Sequence, residues 1–431
     1  MVQITRRPGC NGRNGGLTAA SPAVADPYEQ LEDFARQSIQ RMLQSLLEEE
    51  VDNLLGRTRS ERRQPGSPSG SRNGYGKERR LATSIGTVRI RRPRVRDTEE
   101  PFVSRVLPLF RRRTKQVGEL LPQLYLHGLS CGDFELAMRG LLGDGAPLSA
   151  SSIARLKESW TAEFITWKQR SLADKDIVYV WVDGIYVKAG LEKDKAALLV
   201  VVGARADGTK EVLAVECGQR ESEASWSSIL RDLKARGMNC PRLVMGDGHL
   251  GIWGALAAVF PEADEQRCWN HRMRNILDRV GKKKQGAAKE LLSQIMYAPT
   301  KREAEAAKQV FQAWARSEQY ERAASLLEED WDRMVTYYSF PQEHWLHLRT
   351  TNVIESPFAS VRLRTAASKR YKRVEGATTM IWKLLMVAEQ TFRKLNAPEQ
   401  LIKVYAGIKY EDGRLPERLR LPAQLEQTRA A

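Results

Sequence analysis

The sequence predicts an α/β core on a mixed sheet, with the element order β-β-β-α-β-α-β-α, an all-α insertion and helical segments ahead of it. Three observations carry this. From Asp176 onward, IVYVWVDGIYV, AALLVVVGA and KEVLAVE are rich in Val, Ile, Leu and Tyr and are divided by short polar turns such as Ala206-Asp207-Gly208, the pattern of three antiparallel strands. ESEASWSSILRDLKARG, IWGALAAVF and HRMRNILDRV then have helical spacing and alternate with strand-like RLVMGD and DEQRCW. From about His271 to Leu346 the pattern stays helical, as an insertion within the core would.

Taken in chain order, the 431 residues allow two or three domains. Residues 1–25 are Gly, Ala and Pro-rich and are expected to be flexible. Asp26-Pro27 supplies an N-cap and an N1 proline. Leu31, Phe34, Ala35, Met42, Leu43, Leu46, Leu47, Val51, Leu54 and Leu55 then recur at helical spacing up to Gly56. An amphipathic helix over 26–56 follows, packing on its own domain or on a second copy in a homodimer or higher homo-oligomer.

Residues 57–113 read as a basic linker and short strands. The net charge is +16, and Arg57 to Arg96 holds 13 basic residues against two acids. Such a block suits phosphate backbones or an anionic membrane surface, and a solvated linker fits it equally well. RTRSERRQPGSPSGSRNGYGKERR has almost no apolar content and reads as flexible. LATSIGTVRIRRPRVRD alternates apolar residues with Arg91, Arg92 and Arg94, as a ribbon with a basic face would, and Pro93 argues against a central strand.

Over 114–171 three helical patterns, broken at Gly128 and at Gly143 to Gly145, suggest a helix-turn-helix-like DNA-binding domain. Its last helix, with Ser151, Ser152, Arg155 and Lys157, would read the major groove, and a purely structural trio is the alternative. The core divides into 172–271, a helical insertion over 272–346, a completion with C-terminal helices over 347–410, and a flexible tail over 411–431. No run approaches the ~20 apolar residues of a membrane span, and MVQITRRPGCNGRNGG has no apolar signal-peptide core. The five cysteines are scattered without CxxC pairs, so a reducing, bacterial-type cytoplasm is expected.

Three antiparallel strands followed by α/β crossovers is the order of the RNase H-like fold, whose acids sit on the first strand and just after the fourth. Asp183 fits the first position: inside VYVWVDGIYV it is an expensive place for an unpaired carboxylate. Asp247 in GDGHLG fits the second, although Asp before Gly is also a routine turn or N-cap. Adjacent carboxylates repel unless a cation lies between them, and Mg²⁺ suits such hard oxygen ligands. A third acid must come from elsewhere. Glu355 in RTTNVIESPFASVRLRT is the candidate, and first-turn helix dipole chemistry alone would also explain a Glu there.

At these residues the chain resembles the bacterial Mutator-type insertion-sequence transposases, relatives of the plant Mutator elements. The resemblance runs from about Asp26 to near Gly407 through VDGIYVKAGLEKDKAALLVVVGA, CGQRESEASW, RLVMGDGHLGIWGALAAVFPEADEQRCWNHR and TTNVIESPFASVRLRT. It implies an RNase H-like core with a helical insertion and a DDE triad, Asp183, Asp247 and Glu355, that holds two Mg²⁺ ions, Mn²⁺ being able to substitute. The choice of Glu355 comes from the resemblance. Pro357 leaves its setting open: a helix begun at Asn352 would lose a backbone bond there, whereas Ser356 as N-cap with Pro357 at N1 would not.

The family's Cys-x2-His signature falls on Cys268 and His271. With His344 and His347 these could form a four-ligand zinc site, but without CxxC pairs zinc is not expected, and a packing or DNA-proximal role is preferred. The implied activity is binding of the element's terminal inverted repeats, then Mg²⁺-dependent DNA strand cleavage and transfer to target DNA. Arg362 and Arg364, beside Glu355, are further candidate phosphate contacts, with Lys188 and Arg274 less favoured. A non-enzymatic DNA-binding repressor and a general RNase H-like nuclease or resolvase are the other readings.

Overall fold

The computed structural model describes residues 26–108, 112–129, 137, 139, 142, 150–190, 195–218, 220–248, 250–368 and 370–417. The flexible N-terminus expected over 1–25, most of the middle helix of the 114–171 trio, and the tail beyond 417 lie outside them. The chain divides into two compact units, Met1–Leu121 with Glu135–Leu148, and Pro122–Phe134 with Ser149–Ala431.

In the first unit, α1 (Pro27–Leu55) starts where the caps predict, with Tyr28 N–H donating to Asp26 Oδ1 at 3.0 Å and Gly56 ending it in the left-handed region at φ 61°. Two antiparallel strands follow, β1 (Ser71–Thr83) and β2 (Gly86–Arg96). Residues 71–80 therefore form a strand rather than flexible linker. The apolar content that this segment lacks is supplied by its neighbours: Leu47, Leu81, Val88, Ile90 and Leu107 close a core under α1.

The helix also covers the open edge of β2. Gln40 and Gln44 accept from the N–H groups of Arg89 and Arg91 at 3.2 and 3.0 Å, and Gln44 donates to the Arg91 carbonyl at 2.9 Å. Arg72 ion-pairs with Glu48 and Asp52. Pro93 sits at an irregularity opposite Tyr75, which a two-stranded ribbon tolerates. After the ribbon comes α2 (Lys115–Leu126).

The second unit is a mixed α/β structure. It contains α3 (Ala150–Lys168), β3 (Ile177–Val187), β4 (Ala196–Arg205), β5 (Lys210–Gly218), α4 (Glu223–Ala235), β6 (Leu243–Gly246), α5 (Leu250–Val259) and β7 (Asp264–Arg267). The sheet order is β5-β4-β3-β6-β7, antiparallel from β5 to β3 and parallel from β3 through β6 to β7. A helical stretch follows: α6 (Trp269–Leu277), α7 (Gln285–Met296), α8 (Lys301–Ser317), α9 (Glu321–Glu329), α10 (Trp331–Met334) and α11 (Trp345–Leu348). The chain then returns through α12 (Asn352–Ser368), α13 (Val374–Glu389) and α14 (Glu399–Tyr405).

Alternation along β3 divides its side chains between two faces. Val180 and Val182 join the core with Trp226, Ile229 and Ile252 of α4 and α5. Tyr179 and Trp181 point the other way: Tyr179 packs edge-on against Phe340 and His344, and Trp181 Nε1 donates to the His347 carbonyl at 3.0 Å. Asp183 has the parity of Tyr179 and Trp181. The last helix of the expected DNA-binding trio, α3, packs in this unit, with Phe164 and Trp167 against Trp382 of α13. No helix among the described residues is long and apolar enough to cross a membrane.

Candidate active site

Two carboxylates, Asp247 and Glu355, lie beside His271, and Asp183 is near enough to feel its charge. Asp183 lies in β3, half-buried, and accepts the N–H of Gly184 at 2.8 Å. Burial pushes its carboxyl up to about 7; the Gly184 N–H and the nearby His271 work against that rise, and Glu355 and Glu221 add to it. Asp247 follows β6 directly. Because Trp181 pairs with Met245, continuing the register two residues brings Asp247 level with Asp183. The turn beyond it needs glycine: Gly248 has φ 89°, and a Cβ there would overlap the Arg267 guanidinium, which is ion-paired to Asp330.

Glu355 sits in the first turn of α12, which begins at Asn352 and runs through Pro357. The alternative start at Ser356 is not adopted. The N–H groups of Ile354 and Glu355 are bound to the Thr351 carbonyl at 2.9 and 3.0 Å, and Ile354, Phe358 and Val361 are buried beneath the helix, so packing outweighs the one bond the proline removes.

His271, in α6, places Nδ1 3.5 Å from Asp247 Oδ1 and 3.8 Å from Glu355 Oε1. Burial alone would lower its pKa, but the hydrogen bond to Cys268 and the charges of Asp247 and Glu355 push it up to about 9. Cys268 stands between the elements: its N–H donates to the Gly246 carbonyl at 2.8 Å, and its sulfur lies 3.3 Å from the Thr351 nitrogen and 3.2 Å from Thr351 Oγ1. The ligating atoms of Cys268, His271 and Glu355 lie within 4.8 Å of one another.

His344 and His347 do not join this group. His344 is fully buried, with Tyr179 OH 2.9 Å from Nδ1 and the Ala397 carbonyl 3.2 Å from Nε2. Burial lowers both pKa values, that of His347 to about 4, so both rings are neutral near pH 7.

Two residues near the acids carry no signal in the sequence. Glu221, just before α4, accepts the Tyr186 hydroxyl at 3.0 Å, and a Cβ on Gly184 would overlap its carboxylate. Thr351 donates to Glu355 Oε1 at 2.6 Å. RESEASW and TTNVIE read as ordinary helix starts, and nothing local marks either side chain.

Among the basic candidates, Arg155, Lys157, Lys188, Arg274 and Arg362 are exposed. Arg364 is 2% exposed, its guanidinium 4.2 Å from the Tyr125 ring centroid and 3.5 Å from the Gly128 carbonyl, a packing position that withdraws it from phosphate contact. On the ribbon, Arg92 and Arg94 line a groove of about 740 Å³ together with Lys77, Arg79 and Arg112. Burial, then the charges of Arg92 and Arg112, lower the Arg79 pKa. Arg91 is exposed, and its backbone is engaged by Gln44 of α1.

Compared with known proteins, residues 17–394 match the family described as Transposase, Mutator family. The chain is 44% identical over 302 residues to the transposase for insertion sequence element IS6120 of Mycolicibacterium smegmatis, covering 70% of this chain and 93% of that protein. It is 40% identical to the transposase for IST2 of Acidithiobacillus ferrooxidans, over 66% of this chain and 97% of that one. Similarity to the transposase for ISRM5 of Rhizobium meliloti is 30% and extends over 88% of this chain and 93% of the relative.

Proposed function

The chain belongs to the Mutator family of transposases, and on that premise we propose that it binds the terminal inverted repeats of an insertion sequence and carries out Mg²⁺-dependent cleavage and transfer of DNA strands. The observation that carries the reading is the convergence of Asp183, Asp247 and Glu355, from a strand, a strand end and a helix, around His271. In this reading the second unit has an RNase H-like core, with the helical stretch between β7 and α12 as its insertion.

The donor set fits a hard divalent cation. All three acids offer carboxylate oxygens, and burial with two other carboxylates nearby already pushes Asp183 up to about 7, a like-charge burden that a cation relieves. Two Mg²⁺ or Mn²⁺ ions bound there would activate the attacking hydroxyl and stabilise the leaving 3′ oxygen. The protein's own part is positional: β3 and β6 set the separation of the two aspartates, and the first turn of α12 brings the glutamate to them.

The DNA contacts we propose lie on the ribbon, at Arg91, Arg92 and Arg94, and in the second unit at Arg155, Lys157 and Arg362. Arg92 and Arg94 open onto the arginine-lined groove, whose lining contains no acidic residue. Crowded guanidinium groups favour an anion between them, and a DNA phosphate meets that chemistry. A homodimer or higher homo-oligomer assembled on the two element ends completes the proposal. The test is nicking of a duplex bearing an element end: wild type cleaves with Mg²⁺ and not with EDTA, and cleavage that persists in EDTA rejects the metal-dependent reading.

A further inference from the structure

We infer that Thr351, seated on Cys268, is a positioning residue that fixes the Glu355 carboxylate for metal binding; the inference rests on Glu355 being a metal-holding acid. Thr351 is fully buried and Cys268 is 1% exposed, so their polar atoms must be satisfied by one another and by the site. Thr351 Oγ1 lies 2.6 Å from Glu355 Oε1, 3.2 Å from Cys268 Sγ and 3.5 Å from His271 Nδ1.

A hydroxyl has one proton to give. The shortest separation is that of a hydroxyl donating to a carboxylate, so the proton goes to Glu355. The same oxygen rests against Cys268 Sγ at 3.2 Å, and that sulfur accepts the Thr351 N–H at 3.3 Å. The hydroxyl therefore bridges the sulfur and the carboxylate, and the backbone amide on the sulfur closes the group.

This is not ordinary capping. A threonine at the start of a helix usually accepts a backbone N–H of the first turn. Here the Thr351 carbonyl takes the N–H groups of Ile354 and Glu355, and the side chain donates to a carboxylate four residues on. The bond fixes Oε1 and with it the orientation of the carboxylate.

Both ends of this bridge are fixed to the fold. The Cys268 N–H holds the Gly246 carbonyl, one residue before Asp247, so the cysteine links the strand end carrying one acid to the helix carrying another. The segment leading to Thr351 is held by the Trp269 N–H on the Arg349 carbonyl at 2.9 Å and by the Arg349 guanidinium, 4.9 to 5.2 Å from the rings of Tyr297, Tyr337 and Trp345. Cys268 and Thr351 together therefore set the spacing of Asp247 and Glu355.

The test is Mn²⁺ titration of the full-length protein by electron paramagnetic resonance, beside thermal unfolding. Thr351→Val keeps the shape and the amide–sulfur bond but removes the hydroxyl; it is expected to weaken Mn²⁺ binding ~10-fold or more with little change in unfolding temperature. Thr351→Ser is expected to restore the affinity. Cys268→Ala, which keeps the hydroxyl and removes its seat, gives a smaller loss in the same direction, and with Thr351→Ser it carries the test if the valine variant does not fold. Wild-type affinity in Thr351→Val, or a serine variant as weak as the valine one, overturns the inference. Glu355→Gln separates the two levels: if it loses Mn²⁺ while Thr351→Val does not, the positioning role alone fails, and if it too binds normally, the metal-holding role of Glu355 fails and the inference with it.

Discussion

Asp183 is an acid in the middle of a buried strand, and its pKa is pushed up to about 7 by that burial. A cation that binds the folded protein and relieves this burden should stabilise it by mass action. Mg²⁺ is therefore predicted to raise the thermal unfolding temperature of wild type and to raise it less in Asp183→Asn; equal shifts in both would exclude Asp183 from the cation site. Burial lowers the pKa of both His344 and His347. His347 has a folded pKa of about 4, below its ordinary 6.5, so the stability it contributes is fully present above 6.5 and is lost as pH falls through about 4. His347→Gln should flatten that part of the stability curve in a pH series of thermal melts. Asp183 is legible in the sequence because alternation in VYVWVDGIYV makes a charge there costly, and Asp247 because it ends the neighbouring strand. Glu355 needs a family resemblance. Thr351 stays hidden, since its hydroxyl acquires a role only when Cys268, 83 residues earlier, is brought against it.

Among the elements, the ribbon departs most from expectation. Ser71 to Arg80 has little apolar content, yet it forms β1 because the core it needs comes from α1 and β2, and the glutamines of α1 occupy the N–H groups of the outer edge. A chain-local reading of polarity cannot see that. The groove on this ribbon collects Arg79 and Arg112 with Arg92 although they are far apart in sequence. If it grips DNA phosphates, Arg79→Gln with Arg112→Gln should lower affinity and reduce the slope of log K against log salt by about 0.9 for each phosphate that is no longer neutralised. Fluorescence anisotropy at several salt concentrations measures this, and an unchanged slope rejects the groove as a phosphate site. Its place beside Glu355 in sequence suggests Arg364 as a DNA contact, but its aromatic partner, Tyr125, comes from a distant helix and holds it inside the fold. Arg364→Ala is expected to cost about 2 kcal/mol of stability with the salt slope unaltered, as seen by denaturant unfolding and the same anisotropy series.

In the whole molecule, the helical stretch between β7 and α12 separates Asp247 from Glu355 in sequence while the fold brings both to His271. The order of strands is legible from the alternation of apolar runs. The return of α12 to the sheet is not, because it depends on contacts such as Trp181 with the His347 carbonyl and Tyr179 with His344, between residues more than 160 positions apart. The most direct measurement is a strand-cleavage and strand-transfer assay on a duplex carrying the element's own end, comparing wild type with Asp183→Asn, Asp247→Asn and Glu355→Gln and measuring DNA binding in parallel. The predicted result is Mg²⁺-dependent cleavage and transfer by wild type alone, with all four proteins binding the duplex. Cleavage at the wild-type rate by any of the three variants would contradict the assignment of these acids as the catalytic centre.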